Sequence, residues 1–278
     1  MQSEPAPCRM SGSAAEQPPP GAITLEDLEG MSGGEEEVPP PPGSDLAYHS
    51  CSSSLQGHED EQERLLTYWQ GVGRGHQVDV PWDMAEPIQQ LTRNNHLQER
   101  ESVAFTVIKR KEKLGQVLYE KRCYGKSKWA CVKVQEEQYE QSICLGFMKL
   151  MRYICEQNSS GLYLGMTVPI VTIVHTSESA SDLTRRVTVA YHLPSGLQGQ
   201  PPEPYDPDIT IEEWPPAIIY ARGFRGVTNE VSIAREIDLL AELLESPELC
   251  LQDTFIVAGY TNPAAINRQN EIWFLERP

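Results

Sequence analysis

The stretch EEQYEQSICLGFMKLMRYICEQN, Glu136 to Asn158, decides how the rest of the chain is read. Its Tyr139, Ile143, Phe147, Leu150, Met151 and Ile154 recur at three- and four-residue spacings, which places them on one face of an amphipathic helix. The segments on either side change period. Upstream, SVAFTVIKRK (102–111), QVLYEKRCYG (116–125) and KWACVKV (128–134) are short, β-branched and strand-like, with GKS as the turn between the last two. Downstream, TVPIVTIVHT (167–176) and RRVTVAYHLP (185–194) read as two more strands around the polar SESASDL.

After the proline-rich crossing GLQGQPPEPYDPD (196–208) the order returns. DITIEEW and PAIIYARGF are strands. NEVSIAREIDLLAELLESP (229–247) is a helix with Val231, Ala234, Ile237, Leu240, Ala241 and Leu244 on one face and Pro247 at its end. DTFIVAGYTN and NEIWFLER close the series. Each half is too small to bury both faces of its own sheet. The expectation is therefore an α+β fold: two similar β-β-α-β-β halves forming a twisted antiparallel β-barrel flanked by two helices.

The N-terminal part differs in kind. Residues 1–60 hold one basic residue, Arg9, eleven acidic residues and nine of the 22 prolines, whereas the whole chain has a net charge of −17. Such a composition cannot repay the entropy of ordering, so residues 1–60 are expected to be a disordered acidic tail. Within it AITLEDLEGM alternates acidic and apolar residues and offers a protein partner a short helix. Residues 61–100 read as a connector: a short helix over EDEQERLLTYWQGVGRG (59–75), a flexible glycine joint in GVGRG, and a stretch without clear period. GVGRG lacks the GK[ST] of a phosphate loop.

The acidic balance argues against nucleic acid as the main partner, because phosphate binding needs a basic surface. The longest apolar run, MTVPIVTIV from Met166, is too short to cross a bilayer. The start MQSEPAPCRM resembles neither a secretory signal nor a transit peptide. Seven cysteines without a CxxC pair suit a reducing, cytoplasmic setting, in which the NSS sequon at Asn158 stays unmodified.

YEKRCYGKSKW (119–129) sets a cysteine among basic residues and aromatics. Cys123 can be read as a nucleophile, a metal ligand, part of a nucleic-acid patch, or a strand residue. From Lys109 to Lys133 there are nine Lys and Arg and two Glu; in strands such lysines form a solvated face while Tyr119, Tyr124 and Trp129 pack. A catalytic cysteine needs a base. His192 follows the polar alternation of its strand and reads as exposed, and His175 ends its strand at a solvated position. No GxSxG, HExxH or spaced carboxylate pair is present.

LGMTVPI (164–170), PPEPYDPDITIEE (201–213) and AGYTNPAAINRQNEIWFLE (258–276) together resemble the SOUL heme-binding protein family, and ESVAFTVIKR, YEKRCYGKSKW and the first helix fit the same pattern in order. The resemblance runs from about Glu101 to the C-terminus, which makes 101–278 the SOUL-like domain. It implies a cytoplasmic module that binds heme or another tetrapyrrole and is not an enzyme. It also implies a barrel of two similar halves, similar to bacterial drug-binding regulator domains. The family's pocket lies beside the first helix and under the loop before NEIW. Carried over, the helix contributes Phe147, Leu150 and Met151 to the macrocycle and Arg152 to a propionate. Cys123 stands where one branch of the family has a proposed iron-binding histidine, so it becomes the metal-ligand candidate. A family lysine falls near Ala265, and Arg268 is the substitute cation. Two outcomes stay open: a heme buffer, carrier or sensor, or an interaction protein that keeps the fold with weak or lost heme binding.

Overall fold

A computed structural model describes residues 52–97, 100–176, 186–261 and 267–277. The acidic segment 1–51, the connection SESASDL and Ala265 lie outside the described residues.

Two helices precede the sheet. Helix α1 spans Ser52–Gly75, beginning before the boundary expected near residue 60, and α2 spans Ala85–Leu97 after a 3-10 turn at Trp82–Met84. The segment read as a connector is thus largely helical. GVGRG is no flexible joint but the last turn of α1. Val78 N–H and His76 N–H both donate to Gly73 O at 2.9 Å, and a Cβ at Gly73 would sit 2.6 Å from Val78 O, so only glycine permits this turn.

The strands are β1 (Glu101–Ser102), β2 (Phe105–Lys113), β3 (Gln116–Tyr124), β4 (Ser127–Gln135), β5 (Thr167–Val168), β6 (Ile170–His175), β7 (Arg186–His192), β8 (Ile209–Trp214), β9 (Ala217–Arg225), β10 (Cys250–Gly259) and β11 (Gln269–Glu276). Helix α3 (Tyr139–Ile154) lies between β4 and β5, and α4 (Glu230–Leu243) between β9 and β10. Strands β1 and β5 form a small parallel pair. The other nine form one antiparallel sheet in the order β2-β3-β9-β11-β10-β6-β7-β4-β8.

That order carries the internal repeat. Matching β3, β4, α3, β6, β7 to β8, β9, α4, β10, β11 leaves the order unchanged when read from the opposite end, about a centre between β10 and β6. Each half lends its first strand to the other: β3 pairs with β9, and β8 with β4. The expected closed barrel is not formed. β3's outer edge is taken by β2, which lies on the rim with eight of its nine residues exposed, and β8 ends the sheet on the other side. Closure would require β2 and β8, the two end strands, to pair, and they do not.

The two faces of the sheet are buried differently. The four described helices contribute to the core on one face, where Leu150, Tyr153 and Ile154 of α3 and Ile233 and Leu240 of α4 are fully enclosed. Burying each aliphatic side chain there contributes about 1.5–3 kcal/mol. On the opposite face, where no described helix packs, Tyr124, Trp129, Trp273 and Ile256 are buried against one another and against Val103 in a second cluster. The basic run divides as its alternation suggests, with Tyr119, Tyr124 and Trp129 packed and β2 solvated, but Arg122 is buried. Its guanidinium meets both oxygens of Glu271 at 2.8 and 2.9 Å and the Glu120 carboxylate at 2.8 Å.

Three local readings change. Val231 is exposed, because α4 turns Ile233 and Leu240 to the sheet instead, and its buried Glu236 is held by Arg222 and Arg235. His192 is buried against the Trp129 ring, and burial lowers its pKa. His175 is half-buried, with Nδ1 3.0 Å from Thr254 Oγ1. Asn158 is wholly buried; its amide donates to Tyr153 O and Leu162 O, which leaves the sequon inaccessible in the fold.

Candidate functional site

Helix α3 has two working faces. One, with Ser142, Gly146, Leu150 and Tyr153, lies on β4 and β7, and the close approach is possible because Gly146 has no side chain. The other, with Ile143, Phe147 and Met151, forms one wall of a cavity of about 170 Å³. The sheet adds Ile170, Thr172 and Val257, and the segment before β5 adds Met166. Trp69 of α1, His76 just after it, and Ile88 and Leu91 of α2 also line the cavity. Arg100, Tyr260 and Arg268 line it as well.

Apolar and aromatic side chains share the lining with polar ones, several of which lie on or against α3. Glu140 joins two of them: His76 Nδ1 lies 2.8 Å from its Oε2, and Arg268 Nη1 lies 3.6 Å from its Oε1. The Tyr139 hydroxyl is buried beside Thr172 without a well-formed hydrogen bond, and burial raises its pKa. Burial, with Glu140 adding to it, pushes the Cys144 thiol up to about 11, so it stays protonated at neutral pH. Tyr260 donates to Glu271 at 2.8 Å.

Of the six residues carried over from the family pattern, the cavity brings together Phe147, Met151 and Arg268. Leu150 is fully buried in the core behind the helix. Arg152 points to α2's side of the structure, where its Nη2 donates to both carboxylate oxygens of Asp83 at 3.0 Å. Cys123 lies on β3, paired with Thr106 of β2 and Ile218 of β9, half-buried, and forms no part of the cavity wall. The sequence reading missed Trp69, His76, Ile88 and Leu91. The one signal available was the i, i+3 pair Ile88 and Leu91 after an acidic first turn at Glu86, too short a pattern to separate from a loop.

Residues 100–275 match the sequence profile of the SOUL heme-binding protein family. The chain belongs to that family. Among the SOUL relatives, bovine (Bos taurus) heme-binding protein 1 is 31% identical over 163 residues, covering 58% of this chain and 85% of the relative. Human (Homo sapiens) heme-binding protein 2 is 30% identical over 162 residues, covering 57% of this chain and 78% of its own. The solved C-terminal domain of EcmrR aligns over 58% of this chain and 98% of its own at 10% identity and a TM-score of 0.42, too loose a match to place any residue of the site. The SOUL match begins at residue 100, so α1, His76 and α2 lie before it. Part of the cavity lining is therefore supplied by sequence outside the family region.

Proposed function

We propose that this chain binds heme, or a closely related flat tetrapyrrole, in the cavity beside α3, and that it does so as a buffer, carrier or sensor and not as an enzyme. The observation that carries the reading is the cavity's chemistry. Ile143, Phe147, Met151 and Trp69 offer apolar side chains, and Arg268 and Arg100 supply guanidinium groups, in the same lining. A porphyrin needs that combination, a flat apolar slot for the macrocycle and cations for its propionates. The names of the two relatives point the same way. A cytoplasmic location accords with the five free cysteines among the described residues.

In this reading Phe147 and Met151 contact the macrocycle, Leu150 supports the helix from behind, and Arg268 replaces Arg152 as the propionate partner. Cys123 is left with a structural place in β3.

Titration of the full-length chain with hemin, followed by the Soret band and by quenching of Trp69 fluorescence, tests the proposal. A saturable one-to-one transition is expected. A linear rise equal to that of free hemin would refute it.

A further inference from the structure

The heme-binding reading leaves open which atom of this chain meets the iron. Cys123, the position suggested by the family pattern, stands on β3 outside the cavity. The cavity's thiol and phenols are poor candidates at neutral pH, because burial holds Cys144, Tyr139 and Tyr260 in their protonated forms; the thioethers of Met151 and Met166 also line it, but no carboxylate orients them. Among the described histidines, His175 and His192 lie on β6 and β7 away from the cavity, and His76 alone lines it.

His76 is held in place from both sides. Its backbone follows the Gly73 turn, and the next residue, Gln77, adopts φ +56 and accepts a hydrogen bond from Gln141 Nε2 of α3 at 3.2 Å. Its ring is fixed by Nδ1, 2.8 Å from Glu140 Oε2. A carboxylate on one ring nitrogen settles the proton there and leaves the lone pair on the other; this is the arrangement found behind metal-bound histidines. No described residue bonds Nε2, and it is not among the sealed, unpartnered polar atoms of the structure. Nor do the described residues contain any group of three metal-binding side chains. A single histidine cannot hold a bare ion well, but it suffices for a metal that arrives with its other ligands already in place, as iron in a porphyrin does.

We propose that His76 Nε2 is the axial ligand to the iron of a heme held in this cavity, with Glu140 as the positioning residue that orients the ring. The proposal rests on the heme-binding reading above. Because His76 precedes the family region, iron ligation would be supplied by this chain's added helices and would tie α1 to the loaded site.

The test uses the full-length chain and hemin, with absorption and electron paramagnetic resonance spectra read separately from affinity. The unaltered chain is expected to bind saturably with a histidine-ligated spectrum. His76→Ala and His76→Gln are expected to lose that signature, and added imidazole to restore it. Glu140→Gln is expected to weaken hemin binding by about tenfold and to shift the spectrum, as loss of an orienting carboxylate does at other metal-bound histidines. Saturable binding with an unchanged spectrum in a folded His76 variant overturns the ligand assignment and leaves heme binding standing. No saturable binding in the unaltered chain overturns the heme reading and this proposal with it. Should both His76 variants fail to fold, 15N-histidine labelling of the unaltered chain decides: a hyperfine coupling to the iron supports the assignment, and its absence overturns it.

Discussion

Arg152 Nη2 donates to both carboxylate oxygens of Asp83, each at 3.0 Å, and this contact ties α3 to the 3-10 turn that begins the second helix of the N-terminal pair. The cation that the family pattern assigns to a propionate is therefore paired with Asp83 outside the cavity, whereas Arg268 lies in the cavity lining beside Glu140.

Arg152→Ala should leave hemin affinity within about twofold and cost roughly 0.5–1 kcal/mol of stability, the worth of a partly exposed ion pair. Arg268→Ala should raise the hemin Kd by about tenfold, since a charge-assisted hydrogen bond contributes roughly 1.5–3 kcal/mol. Paired titrations and urea melts measure both. Equal losses of affinity in the two variants would return Arg152 to the site.

Phe147 and Leu150 are three residues apart on α3, but one lines the cavity and the other is enclosed in the core. Leu150→Ala should cost about 2–5 kcal/mol of stability while the folded fraction keeps its affinity. Phe147→Ala should do the reverse, losing about tenfold or more in affinity for the apolar area it no longer covers, with a smaller loss of stability. A chemical melt beside each titration separates the two effects.

Gly146→Ala inverts the usual rule. In an open helix that change stabilises by about 1 kcal/mol. Here the added Cβ would lie 2.6 Å from Val189 Cγ2 and 3.2 Å from Val134 Cγ2, so α3 would be lifted off β4 and β7. A net loss of about 1–3 kcal/mol is expected from overpacking. A variant as stable as the parent would show that the helix sits less tightly than described.

Alkaline pH should destabilise the fold through its buried thiols. Burial pushes Cys144 and Cys250 up to about 11 and Cys155 up to about 12, against an ordinary thiol value of 9.0. Between those values the folded thiols keep protons that the unfolded chain has released. The unfolded state then binds fewer protons, and stability falls as pH rises. The contribution is complete below pH 9.0 and is lost progressively toward 11 and 12. Urea midpoints measured across that window should decline steadily, and a flat profile would contradict the burial of these thiols.

Much of this was legible in the chain because it is local. The period of Tyr139 to Ile154 identified α3, and the return of the same order after residue 208 identified the repeat that the strand order displays. What stayed hidden depends on pairings distant in sequence. Whether the sheet closes depends on whether its end strands β2 and β8 meet, a pairing between strands about 100 positions apart that no local pattern in FTVIKRKEK encodes. Tyr139, Phe147 and Leu150 look alike as a stripe; only the positions of the sheet and of α1 and α2 divide them between core and cavity. His76 follows a glycine-rich helix end that reads as a loop, and its role depends on Glu140, 64 positions later in the chain.

The central claim is that a tetrapyrrole occupies the cavity between α3 and the first two helices. Methyl NMR with a diamagnetic metalloporphyrin reads this directly, through the ring-current field of the macrocycle. On titration with gallium protoporphyrin, the methyl signals of Met151, Met166, Ile143 and Ile88, all in the cavity lining, should shift strongly and saturate, while those of Ile256 and Val171 on the sheet's opposite face stay in place. Saturable shifts confined to Ile256 and Val171, or no shift at any of these methyls, would contradict the account.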